Sequence, residues 1–416
     1  MGEIIIHGGR PLGGSLEVQS AKNSVLPILA ATVLAADSCR IQHCPHLSDV
    51  DCAIKILRHL GGQVCWDGSD LLIDTRPIHS CHIPSPLMAQ MRSSVIFSGA
   101  LLSRFRQCCF TYPGGCELGP RPIDLHCKAW QTLGVEITEQ GDLLHCRAPR
   151  LQGGRVVLAI PSVGATENAM LCAVGAAGIT QIIHPAREPE IVDLQNFLRK
   201  CGANVSGAGT DTITIAGGTP LHGCTHRCIG DRIAASTYLC AVAGTGGDIT
   251  LQGVDSRHLL PVLSALRQAG CVIRERRESI RLTSSAALQP VSPLVTAPYP
   301  GFPTDAQAIV MAALLRSNGN TCFVENMFAD RYRHIPQLRQ FGGQIAVNGR
   351  LATVSGVSHL HGAAVQCTDL RGGAAMAVAA LQAEGESRLS QIHHIERGYE
   401  NLVGDLASLG AVIDQK

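Results

Sequence analysis

The chain has 416 residues, of which 45% are hydrophobic, 16% charged and only 4% aromatic, and its 34 Lys and Arg against 33 Asp and Glu leave a net charge of +1. Ample aliphatic residues with sparse charge exclude a disordered chain, and the balanced charge excludes a bulk field favouring nucleic acid or anionic lipid. The length suits two or three domains of ~150 residues, and any anion must be met by locally gathered Arg and Lys.

The chain opens Met-Gly-Glu-Ile-Ile-Ile-His, without a basic segment followed by a long apolar run, so no secretory leader is expected. The longest apolar stretches, Val25–Ala36 and Ala169–Ile183, fall short of the ~18 residues a membrane span needs. Eighteen cysteines are spread along the whole sequence rather than crowded into a short one. They are expected to be mostly buried, reduced thiols in a cytoplasmic protein without a membrane partner.

The first predicted element is a nearly charge-free helix, Val25–Leu34. An amphipathic helix, Asp51–Leu60, follows and ends in Leu60-Gly61-Gly62-Gln63-Val64. That ending recurs at Leu133-Gly134-Val135, Cys201-Gly202-Ala203, Ala269-Gly270-Cys271, Phe341-Gly342-Gly343 and Leu409-Gly410-Ala411. The glycines at 61, 134, 202, 270, 342 and 410 stand 73, 68, 68, 72 and 68 residues apart. Glycine takes the left-handed position that stops a helix, and β-branched residues then start a strand. Upstream lie amphipathic helices such as Asp193–Lys200 and Leu259–Ala269, each preceded by a small-residue helix such as Ala169–Ala177 or Ala374–Leu381. A helix apolar all round is a buried one. The pattern predicts six α/β units in two lobes, helices inside and sheets outside. A stacked solenoid fits less well, because ~70 residues exceeds the usual solenoid period of ~20–50.

Within the second unit, Thr111–Pro122 packs three prolines and three glycines into twelve residues and is read as an ordered loop. Cys116 sits at its middle and Arg121 follows, and a surface thiol near cations is reactive. Lys22-Asn23 precede one buried helix, where an ammonium is unfavourable unless an anion binds. Arg92 holds the same station ahead of Ser93–Leu102, Asp305 ahead of Ala306–Leu315, and Asp369 and Arg371 ahead of Gly372–Leu381. Arg331 and Arg397 follow central strands of the fifth and sixth units. Their recurrence points to one arginine-rich anion site between the lobes.

His222, Cys224, His226 and Cys228 alternate metal-ligand types, but a tetrahedral metal site seldom takes four ligands from one straight strand. His393-His394 lack neighbouring ligand types, and the double glycines Gly217-Gly218 and Gly246-Gly247 read as turns. No Gly-x-Gly-x-x-Gly opens a helix and no phosphate-cradling Walker loop occurs. No metal and no cofactor are expected.

Ala21-Lys22-Asn23, the Pro-Gly-Gly-Cys loop leading to Arg121-Pro122-Ile123-Asp124-Leu125-His126, and Ser162-Val163-Gly164-Ala165-Thr166 resemble one enzyme family along the whole chain. Arg187-Glu188-Pro189-Glu190, Phe302-Pro303-Thr304-Asp305, Asp369-Leu370-Arg371 and Glu396-Arg397-Gly398-Tyr399 complete the set. The family is that of the UDP-N-acetylglucosamine 1-carboxyvinyltransferases, within the EPSP synthase-like enolpyruvyl transferases. The resemblance implies a two-lobed inside-out α/β barrel of six repeats, with one lobe at 22–229 carrying a cysteine lid at about 111–122. The other lobe comprises 1–21 plus 230–416, and the active site lies in the cleft between them. It further implies transfer of the enolpyruvyl group of phosphoenolpyruvate to the 3′-hydroxyl of UDP-N-acetylglucosamine, the first committed step of peptidoglycan precursor synthesis.

By that resemblance Lys22, Arg121 and Arg397 would hold the phosphate of phosphoenolpyruvate and Arg331 and Arg371 its carboxylate, with Asn23 also binding phosphoenolpyruvate. Asp305 would be the base, with Asp369 beside it, and Cys116 the general acid or a nucleophile. Asn23, Arg92, Arg121, Pro122, Ile123, Asp124, Leu125, Ser162, Val163, Gly164, Asp305 and Met327 would line the UDP-sugar site. The chain departs from the family pattern at three places: Ala329-Asp330 ahead of Arg331, Ala234 where an acidic residue is common, and Pro120 in the lid. They leave open a paralogue for another hydroxyl acceptor, or an idle one that only binds UDP-sugar.

Overall fold

The computed structural model describes residues 2–114 and 122–416. The backbone divides into two compact units: a central one from residues 20–114 and 122–229, and a split one from 2–19 and 230–416. Each has its own hydrophobic core.

In the central unit the core is three helices, Lys22–Ala35, Ile96–Phe105 and Val163–Val174. In the split unit it is Arg232–Thr245, Thr304–Ala313 and Leu370–Gln382. Alanine, glycine, serine and threonine let their backbones approach closely. Gly99 shows how closely: a Cβ there would stand 2.6 Å from Asn168 Oδ1, which instead accepts from the Gly99 N–H at 2.9 Å. Several buried hydroxyls turn back onto their own helix, as Thr32 Oγ1 does to Leu29 O at 2.7 Å.

The helices of each triplet run parallel. Arg104, at the end of its helix, donates to Val33 O at the end of another, and Gly175 abuts Ser103. In the split unit Gln382 donates to Ala312 O at 3.0 Å and packs on Gly244. With the C-termini together, the N-termini gather at the opposite end, and there every aligned dipole favours negative charge.

Around each triplet stand three four-stranded sheets. In the sheet Arg155–Val157, Gly178–Ile183, Thr212–Gly217, Asn204–Ser206, the first pair is parallel and the rest antiparallel. The parallel pair is joined through the buried helix Val163–Val174, as a parallel connection requires. An amphipathic outer helix, Pro189–Lys200, then leads into the antiparallel strands. All six sheets repeat this order. The six glycines that end the outer helices all adopt positive φ, from +89° to +107°. The helix expected at Leu259–Ala269 is a 3₁₀ turn, Ser256–Leu259, followed by the α-helix Leu260–Gln268.

Three strands reach their sheets from far along the chain. Thr225–Arg227 supplies the parallel edge beside Ser38–Gln42. Leu12–Glu17 lies parallel to Gly247–Gln252, and Ile4–His7 inserts between Glu386–Ser390 and Val412–Gln415. Among the described residues the sheets remain six separate ones and join into no closed β-barrel. No helix among them is long and apolar enough to cross a membrane. The seventeen described cysteines are free, and eleven of them are buried.

Candidate active site

In the split unit the helix N-termini carry Asp305, in the first turn of Thr304–Ala313, and Asp369 and Arg371, around the start of Leu370–Gln382. Arg331 reaches the same place from the segment after the strand Asn320–Val324, and its side chain is 2% exposed. Its guanidinium donates to Thr304 O at 2.9 Å and to Asp305 Oδ1 at 3.1 Å, and lies 3.9 Å from Asp369 Oδ1. The buried Arg371 approaches the same carboxylate oxygen of Asp305, Nε to Oδ1 at 3.6 Å. Burial alone would lower the Arg371 pKa, but Asp305, Tyr399 and Asp231 hold it above the usual value, so this cation persists in the interior. Asp305 is thus a carboxylate one-third exposed, gripped by two buried guanidiniums.

Asp369 caps its helix by accepting from the N–H groups of Arg371 and Gly372 at 3.0 and 3.1 Å. Burial pushes its pKa up; the Arg331 charge and these N–H groups outweigh that and hold it low. His334 packs behind both. Its Nδ1–H donates to Arg331 O at 3.1 Å, and burial pushes its pKa down to about 4, so the ring is neutral. Arg397 closes the 3₁₀ helix Ile392–Arg397 and is half-buried. Met327 is exposed, its N–H held by Glu325 Oε1 at 2.7 Å.

In the central unit Lys22 is the first residue of its helix and is nearly buried. Asp49, in the first turn of the outer helix Ser48–His59, gives the Lys22 ammonium a counter-charge, Nζ to Oδ2 at 3.2 Å. Asn23 beside it is half-buried. Arg92 begins the 3₁₀ turn Arg92–Val95 and donates to Pro122 O at 3.1 Å. Pro122 and Asp124 are exposed, Leu125 half-buried and Ile123 buried at the start of the helix Asp124–Thr132. Ser162 caps the helix Val163–Val174, its Oγ accepting from Ala165 N at 3.4 Å. His126 joins these runs. Its ring lies against Gly164, where a Cβ would stand 3.1 Å from the His126 Cε1, and Nδ1 accepts from Asn168 Nδ2 at 2.8 Å. Arg92, Pro122–Leu125 and Ser162–Gly164 are thereby brought into one neighbourhood. Cys116 and Arg121, together with Pro120, lie outside the described residues.

Sequence reasoning missed the supports. Glu325 is buried and accepts from Thr296 and Thr304 hydroxyls and from the Met327 and Phe328 N–H groups. Gln19 ties the segment after Arg397, donating to Gly398 O and accepting from Glu400 N. Asp49 and His334 belong with them. Gln19, Asp49 and Glu325 reach partners distant in sequence, and His334 bonds a backbone carbonyl, so no local motif marks them. Of the departures, Ala234 is fully buried with its N–H on Asp231 Oδ1, while Ala329 and Asp330 are exposed.

The alternating His and Cys residues do not converge. His226 Nε2 meets Asp193 Oδ1 at 3.0 Å, with Cys228 close by. Asp193 Oδ2 also accepts from Ser24 Oγ and from Ile229 N, so hydrogen bonds already engage both of its oxygens. Cys224 turns away to Cys201. The rings of His393 and His394 lie against each other at a tilt of 36°, centroids 4.1 Å apart.

Residues 6–406 match the family model of EPSP synthase (3-phosphoshikimate 1-carboxyvinyltransferase). UDP-N-acetylglucosamine 1-carboxyvinyltransferase 2 of Caldanaerobacter subterraneus subsp. tengcongensis is 45% identical over 413 residues, 99% of each chain. UDP-N-acetylglucosamine 1-carboxyvinyltransferase 1 of Carboxydothermus hydrogenoformans is 42% identical over 99% of this chain and 98% of that one. Among solved structures, the enolpyruvyl transferase NikO from Streptomyces tendae superposes with a TM-score of 0.89 at 25% identity, covering 100% of this chain and 99% of that one. By sequence over its full length, and by the fold of its two units, the chain belongs to the EPSP synthase family of enolpyruvyl transferases.

Proposed function

We propose that this enzyme transfers the enolpyruvyl group of phosphoenolpyruvate to the 3′-hydroxyl of UDP-N-acetylglucosamine, releasing phosphate. The observation that carries the reading is 45% identity over 99% of both chains to a UDP-N-acetylglucosamine 1-carboxyvinyltransferase. Asp305 supports it: a carboxylate with one face open and two guanidiniums behind it is placed to take a hydroxyl proton. The gathered helix N-termini favour polyanions such as phosphoenolpyruvate and a nucleoside diphosphate.

In the first step Asp305 removes the 3′-hydroxyl proton as the oxygen bonds to C2 of phosphoenolpyruvate. The C2–C3 double bond opens and C3 receives a proton, from Cys116 in this reading. The tetrahedral intermediate then loses a proton from C3, restores the double bond and expels phosphate from C2. Lys22, Arg121 and Arg397 hold the phosphate; Arg331 and Arg371 balance the substrate carboxylate while holding Asp305. Cys116 also serves as the nucleophile toward an epoxide such as fosfomycin. No metal or cofactor enters these steps.

The test is phosphate release from phosphoenolpyruvate with and without UDP-N-acetylglucosamine. Release that depends on UDP-N-acetylglucosamine is expected, and Cys116→Ser should lose both turnover and labelling by fosfomycin. Turnover only with another hydroxyl acceptor, or ligand-induced stabilisation without any phosphate release, would overturn the reading.

A further inference from the structure

Three of the cysteines meet where the central unit closes its first sheet. Cys201 follows the outer helix Pro189–Lys200, and its carbonyl accepts from His222 N at 3.0 Å. Cys224 immediately precedes the closing strand Thr225–Arg227, and Cys39 lies on the neighbouring strand Ser38–Gln42. Cys201 Sγ and Cys224 Sγ are 3.4 Å apart, and the Cys39 thiol takes part in hydrogen bonding with both. Cys201 and Cys39 are buried, whereas Cys224 is only partly so.

The backbone holds this meeting fixed. Arg40 N donates to Cys224 O at 3.0 Å, and Gly223 N donates to Asp37 Oδ2 at 2.9 Å. A covalent S–S bond needs about 2.05 Å, so the two sulfurs must approach by about 1.4 Å, within reach of side-chain rotation.

We propose that Cys201 and Cys224, with Cys39 beside them, form a thiol–disulfide exchange site that reacts with small disulfides, Cys224 attacking first. The Cys224 thiolate bonds to one sulfur of the disulfide RSSR and expels RS⁻, leaving a mixed disulfide on Cys224. The Cys201 thiol loses its proton to solvent, attacks Cys224 Sγ and expels the second RS⁻. The protein gains one disulfide, two thiols having been oxidised, and RSSR is reduced to two RSH.

Electrostatics and access assign the order of attack. Hydrogen bonds from Cys201 and Cys39, with Lys200 nearby, pull the Cys224 thiol below its usual range, and the same contacts push Cys201 up. The thiolate therefore forms on the member of the pair that solvent reaches. A second thiol cluster supplies an internal control. Cys108 and Cys146 lie directly opposite each other across two strands, with Cys172 near, but all three are buried. Burial pushes the Cys108 and Cys172 thiols well up, which withholds the thiolate.

The intact chain is exposed to oxidised glutathione, quenched with an alkylating agent at intervals, unfolded and mapped by mass. The peptides bearing Cys201 and Cys224 are expected to become linked at least tenfold faster than those bearing Cys108 and Cys146. Cys201→Ser should stop the reaction with glutathione held on Cys224, Cys224→Ser should abolish the fast linkage, and Cys108→Ser should leave it unchanged. Because linked peptides are read individually, reaction at Cys116 does not enter the result. Cys201 and Cys224 remaining alkylatable while other thiols oxidise, or a fast linkage surviving in Cys224→Ser, overturns the proposal.

Discussion

Asp305 concentrates the chemistry of the split unit in one side chain, because two buried cations converge on a carboxylate that keeps an open face. Replacing it with Asn keeps the size and removes the base. We expect kcat to fall by roughly 10²–10⁴ in the phosphate-release assay, the range for loss of a general base; a fall below tenfold would assign proton removal elsewhere. A second expectation follows from His334, whose folded pKa of about 4 lies below its ordinary 6.5. Between those values the unfolded chain binds the extra proton, so stability is full above pH 6.5 and is lost as pH falls towards 4. His334→Gln should flatten that part of the urea midpoint against pH, and an unchanged slope would remove His334 from the balance. The charged residues of this site were legible in the sequence because charge is scarce and recurs at repeat stations. Their supports were not: His334 acts through the Arg331 carbonyl, and Asp49 and Gln19 act across long stretches of chain.

The six outer-helix stops were the most legible elements, because a helix C-terminus that must turn left-handed selects glycine whatever packs around it. The interior of each repeat was less legible, since a charge-free helix shows no amphipathic edge from which to read its ends; the helix expected at Val25–Leu34 runs from Lys22 to Ala35. The stops differ among themselves in what surrounds them. Gly270 has φ +101° and open space around a would-be Cβ, whereas Gly134 has φ +89° and the Arg150 carbonyl oxygen directly in the way. Gly270→Ala should therefore cost only the left-handed strain, about 1–2 kcal/mol. Gly134→Ala adds a backbone clash and should cost clearly more, with the strand Glu136–Gln140 displaced. Urea midpoints of the two variants decide it. Equal losses would mean that strain alone sets the cost.

At the scale of the molecule, the order of strands in space departs from their order in sequence at three places, and no local pattern announces such exchanges. Thr225–Arg227 lies within the central unit, so residues 20–229 contain every strand of their three sheets. Residues 230–416 do not. They lack Leu12–Glu17, and they lack Ile4–His7, which fills the gap between Glu386–Ser390 and Val412–Gln415 with Ile4 and Ile6 buried. Without Ile4–His7 both neighbours lose a ladder of backbone hydrogen bonds, and buried N–H and C=O groups without partners are strongly disfavoured. A fragment of residues 20–229 should unfold cooperatively with near-native helix content. A fragment of residues 230–416 should not, until a peptide of residues 2–19 is added in trans. In the whole chain, Ile6→Ala should cost about 2–5 kcal/mol. Hydrogen exchange should report the loss in Glu386–Ser390 and Val412–Gln415, leaving the sheets of the central unit unchanged. Cooperative folding of 230–416 alone would show that the helix triplet, rather than the completed sheets, holds the split unit together.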